Sequence, residues 1–109
     1  MKKRYRIKKN EEFAKIIQYK HRKSSAAFVV YFTDAKEDIS RVGISVSKKL
    51  GDAVKRNKIK RQVREMVKDI VDFENCHKDL VIIVKPAYLD KDFYSNKNDL
   101  EILIKKAII

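Results

Sequence analysis

The stretch "AVKRNKIKRQVREMV", Ala53 to Val67, constrains this chain more than any other. It is crowded with Lys and Arg, and Glu65 is its only acid. Like charges at this density oppose a helix, yet the apolar residues keep helical spacing. With Ile59 at zero and about 100° per residue, Val63, Met66, Val67, Ile70 and Val71 fall between about −20° and 120°. Asn57, Arg61, Arg64 and Lys68 fall between about 140° and 200°, as a second stripe. The spacing therefore predicts one long helix from about Ala53 to Asp72, with an apolar back fixed to a core and a ridge of cations in front. Lys60 sits on the border, where its stem can cover apolar surface while the ammonium reaches water. Lys58 lies further round the helix. Lys48, Lys49, Lys55 and Arg56 extend the ridge at its N-terminal end.

That ridge is poorly explained by folding. Cations at a helix N-terminus oppose the helix dipole. A solvated charged face normally mixes Lys with Glu four residues apart, and no acid occurs from Ala53 through Arg64. A polyanionic partner explains both features, and the residue types favour RNA. Arg binds phosphate bidentately and stacks on bases, and Lys adds a mobile point charge. Asn57 adds a donor and an acceptor that cations lack. It could bond a base edge, a 2′-hydroxyl or the preceding loop.

The charge elsewhere fits this reading. The 109 residues carry 27 Lys+Arg against 15 Asp+Glu, a formal net charge of +12. Residues 1–23 hold +8 and residues 48–64 hold +7, so two blocks supply more than the whole excess. Two concentrated blocks suggest two basic surfaces, or one built from both. The length suits a single RNA-binding domain, 1–109, with a modest core. A hydrophobic fraction of 44% argues against a disordered basic tail. The charged N-terminus lacks the apolar stretch of a secretory signal, and no apolar run approaches the roughly twenty residues of a membrane span. The lone Cys76 and the two distant histidines, His21 and His77, offer no zinc site. A cytoplasmic protein without a membrane partner, a small-molecule substrate or a metal of its own is expected.

Around the basic helix the pattern alternates between helices and strands. Asn10 is expected to cap a helix from Glu11 to about Lys20, with Phe13, Ile16, Ile17 and Lys20 on one face. "HRKSS" reads as a loop or a short edge strand. "AFVVYFT" (27–33) and "RVGISVS" (41–47) read as strands, and "KKLGD" as a turn. "DLVIIVK" (79–85) is nearly continuous in apolar residues and predicts a central strand, ended by Pro86. A last helix over "NDLEILIKKAI" would bury Leu100, Leu103, Ile104 and Ala107. The order is that of an α+β protein, a two-layer α/β sandwich. In the strands, Val42, Ile44 and Val46 point one way and Gly43, Ser45 and Ser47 the other. If helices cover the apolar face, the opposite one offers Tyr31, Thr33, Ser45 and Ser47 around Gly43. A flat, flexible ligand could lie there. The same pattern also describes an ordinary solvated sheet face.

"RVGISVSKKLGDAVKRNKIKRQVRE" resembles the signature of the bacterial ribonuclease P protein subunit, in which Arg56, Asn57, Lys60, Arg61 and Arg64 occupy the motif positions. "RIKKNEEF", "FVVYF" and "DLVIIVKPA" extend the resemblance along nearly the whole chain. It implies an α-β-β-β-α-β-α fold with a four-stranded sheet and a left-handed β-α-β crossover, like the second domain of ribosomal protein S5. It implies an accessory to a catalytic RNA that removes the 5′ leader of precursor tRNA with Mg²⁺, the protein alone being non-catalytic. The basic helix and its preceding loop would contact that RNA. A cleft between the first helix and the open sheet face would bind the single-stranded leader, with Phe13 and Tyr31 lining it and Ser45 and Ser47 nearby. Ile17 stands where many members have another aromatic ring, so one stacking platform departs from the pattern. From the residues themselves, a ribosomal protein is the stronger rival. A DNA binder is weaker, since no helix-turn-helix spacing occurs. An independent nuclease would need paired carboxylates or a His/Lys acid–base pair, and neither motif is present.

Overall fold

A computed structural model describes residues 1–108. The chain forms α1 (Asn10–Gln18), β1 (Arg22–Ser24), β2 (Phe28–Asp34), β3 (Val42–Val46), α2 (Ala53–Ile70), β4 (Lys78–Val84) and α3 (Phe93–Ile108). Short 3-10 turns lie at Lys3–Tyr5, Lys48–Leu50 and Pro86–Asp90. The expected α-β-β-β-α-β-α order is therefore present. The strands form one mixed sheet in the order β1-β2-β4-β3. β1 with β2 and β2 with β4 are antiparallel, while β3 and β4 are parallel and joined through α2.

β4 takes the central place that its composition predicts. Leu80, Val81, Ile82 and Val84 are all buried, because both faces of this strand are covered. On one face Phe28, Val30, Val42, Val46, Leu80 and Ile82 meet two helices. α2 contributes Ile59, Val63, Met66 and Val67, and α3 contributes Leu100, Leu103, Ile104 and Ala107. The apolar stripes read from helical spacing are thus the buried ones. On the other face a smaller cluster joins Ile7, Ile16 and Val81, with Phe13, Ile17, Tyr31 and Ile83 packed against it. α1 therefore lies alone on the sheet face opposite α2 and α3.

Three local expectations change. Asn10 does not cap α1; it is the first helical residue, and Lys9 precedes it in an extended conformation without a side-chain cap. The Lys9 carbonyl starts the helix instead, accepting from Glu12 N at 3.1 Å and Phe13 N at 3.2 Å. α1 stops at Gln18, and Lys20 adopts a positive φ of 60° just beyond it. α3 begins at Phe93, before the expected "NDLEILIKKAI", because the Asp92 carboxylate accepts from Ser95 N at 2.8 Å and caps an extra turn. "HRKSS" resolves as the edge strand β1.

Candidate nucleic-acid interface

The face that carries α1 can be read row by row. Arg22, Tyr31, Val81 and Gly43 align across the four strands, and Ser24, Val29, Ile83 and Ser45 form the next row. Val81 is buried beneath α1, Tyr31 and Ile83 are half-buried, and Ser45 is exposed. Phe13 reaches down from α1 so that its ring tip meets Gly43. A Cβ at position 43 would lie 2.5 Å from Phe13 Cζ and 2.8 Å from Cε1. Glycine is what lets the ring come so close. The Tyr31 hydroxyl accepts a hydrogen bond from Arg22 Nη1 at 3.3 Å.

An ionic strut pins α1 to the sheet. Arg41 Nη1 lies 2.7 Å from Glu12 Oε2, and Arg41 Nη2 lies 3.2 Å from Asp79 Oδ2. The Arg41 backbone N–H also donates to Asp79 Oδ1 at 3.1 Å. Asp79 is 2% exposed, so its carboxylate depends on these partners. Burial disfavours the Arg41 charge, but the Asp79 and Glu12 carboxylates outweigh it and raise the guanidinium pKa. The N-terminal segment closes the far edge, where Ile7 N donates to Val42 O at 3.1 Å.

Between α1, β3 and α2 runs a cleft of about 590 Å³. Phe13, Ile17 and Ser45 line it on one side, and Lys60 and Arg64 of the basic helix on the other, with Arg6 and Lys8 at its N-terminal rim. Tyr31 does not line this cleft as expected; it sits two strands away on β2, on the same sheet face and in the cluster that holds Phe13 and Ile17. Ile17 occupies the cleft wall with contact area but no ring face. Ser47 is placed differently. It lies past the end of β3, where its hydroxyl accepts from Lys49 N at 3.2 Å and caps the turn bearing Lys48 and Lys49.

The ridge itself is unneutralised. Lys48, Lys49, Lys55, Asn57, Lys58, Arg61 and Lys68 are exposed, and Arg56, Lys60 and Arg64 are half-buried. Among the described residues, the ion pairs all lie elsewhere. Asp52 is committed as the cap of α2, accepting from Lys55 N at 2.9 Å. Arg56 Nε donates to the Asp52 carbonyl at 3.4 Å. Among the described residues the hydrogen bonds around the preceding loop run through Ser47, Asp52 and Arg56, and none involves the Asn57 side chain, so the loop contact considered for it is not formed. Gly51, at φ 137°, supplies the turn into the helix that an L side chain would resist. Desolvation lowers the Arg64 pKa, and the nearby Arg6 charge lowers it further, as expected for cations gathered without an anion.

Two functional features were not read from the sequence. One is the Glu12–Arg41–Asp79 strut. Asp79 at the head of the most apolar strand was its available signal, because a carboxylate flanking a buried run needs a partner. The other is the place of Arg6 and Lys8 on the cleft rim, hinted at only by the charge of residues 1–23.

Fold and site together define an α+β protein that presents a bare cationic helix beside an aromatic cleft. The family model described as Ribonuclease P matches residues 1–108. The ribonuclease P protein component of Geobacillus sp. (strain WCH70) is 41% identical over 108 residues, covering 98% of this chain and 93% of that protein. The one from Mycoplasma capricolum is 41% identical over 107 residues, covering 97% and 98%. The solved structure of the Staphylococcus aureus RNase P protein aligns with a TM-score of 0.82 at 42% identity, covering 94% of each chain. That of the Thermotoga maritima RNase P protein aligns with a TM-score of 0.74 at 32% identity, covering 93% and 96%. The chain belongs to the family of ribonuclease P protein components, which places it in tRNA processing with ribonuclease P RNA as its partner.

Proposed function

We propose that the protein binds the catalytic RNA of ribonuclease P through the α2 ridge and the 5′ leader of precursor tRNA through the α1 cleft. One observation carries this reading: Lys60 and Arg64 belong to the ridge and also line the cleft, so the two surfaces are continuous. Arg56, Asn57, Arg61 and Lys68 would grip the RNA backbone, with Lys48, Lys49, Lys55 and Lys58 extending the contact. Phe13 in the cleft and Tyr31 on the adjoining sheet face would stack on leader bases, a contact that tolerates variable sequence because every base has a π face. Ile17 adds apolar area, and Ser45 a hydrogen-bonding group on the cleft wall.

In this reading hydrolysis of the leader phosphodiester is RNA chemistry, with Mg²⁺ serving that RNA. The protein's part is electrostatic. Its cations reduce phosphate repulsion between two RNAs and so lower the metal and salt needed for assembly. No three His, Cys, Asp or Glu side chains gather into a metal-holding group among the described residues. No helix among them is long and apolar enough to cross a membrane. We assign the activity to the cytoplasm, as expected from the sequence. The test is cleavage of precursor tRNA by each component. Protein freed of RNA should be inactive. The RNA alone should cleave slowly at high Mg²⁺, and adding protein should lower the Mg²⁺ required. Robust cleavage by RNA-free protein would refute the reading.

A further inference from the structure

The basic helix has a second flank. Lys60 and Arg64 lead into the leader cleft, while Lys55 and Lys58 lead the other way. They border a pocket of about 400 Å³ between α2, the Pro86–Asp90 turn and the start of α3. That volume is within the roughly 300–1,000 Å³ of small-ligand pockets. Ile59, Leu89 and Phe93 form apolar walls, and Leu89 is 60% exposed. Lys55, Lys58 and Lys91 surround the pocket, and among the described residues no acid lines it.

The polar groups inside are specific. The Tyr88 hydroxyl donates to Gln62 Oε1 at 2.8 Å, which turns the amide NH₂ of Gln62 toward other partners. Burial pushes the Tyr88 pKa up to about 12, so this donor keeps its proton at working pH. Asn96 is 1% exposed and spends Nδ2 on the carbonyls of Tyr88, at 2.9 Å, and Lys91, at 3.3 Å. Its Oδ1 is buried with no partner among the described residues, which native structures seldom leave uncompensated. An apolar slot with an amide donor at Gln62 and a cationic rim of Lys55, Lys58 and Lys91 suits a nucleobase with its flanking phosphates. An apolar peptide side chain would satisfy the walls alone.

We propose that this pocket receives one unstacked base of the catalytic RNA, with the neighbouring phosphates held by Lys55, Lys58 and Lys91. The proposal rests on the reading of α2 as the RNA-binding ridge and adds a base-reading site to it. Phosphate contacts set the slope of affinity against salt, whereas a base contact changes affinity without changing that slope.

The test measures binding of the full-length protein to ribonuclease P RNA across a salt series, with a thermal melt of each variant. Leu89→Ser combined with Phe93→Leu removes one wall and the ring. The expected result is binding weaker by about 5- to 150-fold, one stacked base, at an unchanged salt slope and melting temperature. If the double variant melts early, Leu89→Ser alone decides, since Leu89 lies mostly outside the core. It should weaken binding about three- to tenfold, a fraction of one buried leucine. Wild-type affinity in a folded variant, or a loss accompanied by a shallower slope, would overturn the pocket. Arg61→Ala with Arg64→Ala serves as the control. If those changes leave both affinity and slope untouched, the ridge reading itself has failed, and that failure is distinct from failure of the pocket.

Discussion

Gly43→Ala should damage the cleft far more than the fold. The added Cβ would lie 2.5 Å from Phe13 Cζ. Carbon atoms rest comfortably at about 3.5–4.0 Å, so the ring must retreat by about 1 Å or more. It is free to do so, because the clash falls on the far tip of a side chain rather than on backbone. The backbone at position 43 is ordinary strand, and alanine recovers about 0.5–1 kcal/mol of the entropy that glycine loses on folding. Overpacking costs about 1–3 kcal/mol. The net loss of stability should therefore be modest, about 0–2.5 kcal/mol in a urea titration. The displaced ring no longer stacks, so the reconstituted holoenzyme should bind precursor tRNA about 1–3 kcal/mol more weakly. Mature tRNA, which has no leader, should bind as before. A double-mutant cycle sharpens the test: in a Phe13→Ala background there is no ring to displace, and Gly43→Ala should have no further effect on leader binding. Additive losses would mean that Gly43 acts independently of Phe13, and the packing argument would be refuted.

Other perturbations separate the strut, the ridge and the platforms. Arg41→Ala strands the buried Asp79 carboxylate and should cost about 3–5 kcal/mol of stability in denaturant unfolding, more than Glu12→Gln, whose carboxylate is only partly buried. Arg61→Ala with Arg64→Ala should flatten the log-affinity against log-salt slope for the catalytic RNA by about 1.5, two phosphate contacts' worth; an unchanged slope would remove these arginines from the phosphate interface. Tyr31→Ala should weaken binding of leader-bearing substrate by about 1–3 kcal/mol and Tyr31→Phe only slightly, while Ile17→Phe should strengthen it by adding a further ring. Equal effects of these changes on mature tRNA would make the residues core rather than cleft.

The legible parts of this molecule were those that a one-dimensional pattern can hold. The apolar run Leu80 to Val84 marked the central strand because burial on both faces needs no alternation. The two stripes of α2 followed from helical geometry, and the buried set Ile59, Val63, Met66 and Val67 matches the apolar stripe. What needed the third dimension was less visible. The amphipathic pattern of α1 shows that one face is buried but not which sheet face buries it. The strut joins positions 12, 41 and 79, which no spacing rule connects. The extra first turn of α3 depends on a single capping carboxylate at Asp92. Ser47 alternates with Ser45 in the sequence, but the strand ends before it and its hydroxyl turns to the next loop.

The central claim is that ridge and cleft form one surface, joined at Lys60 and Arg64. Its most direct test places a reporter at the junction. With the half-buried Cys76 replaced by serine, Lys60→Cys can carry a tethered iron chelate that cuts nearby nucleic acid. Bound in the holoenzyme with precursor tRNA, that single position should cut both the catalytic RNA and the leader. Cuts confined to the catalytic RNA, or to the leader, would contradict the account.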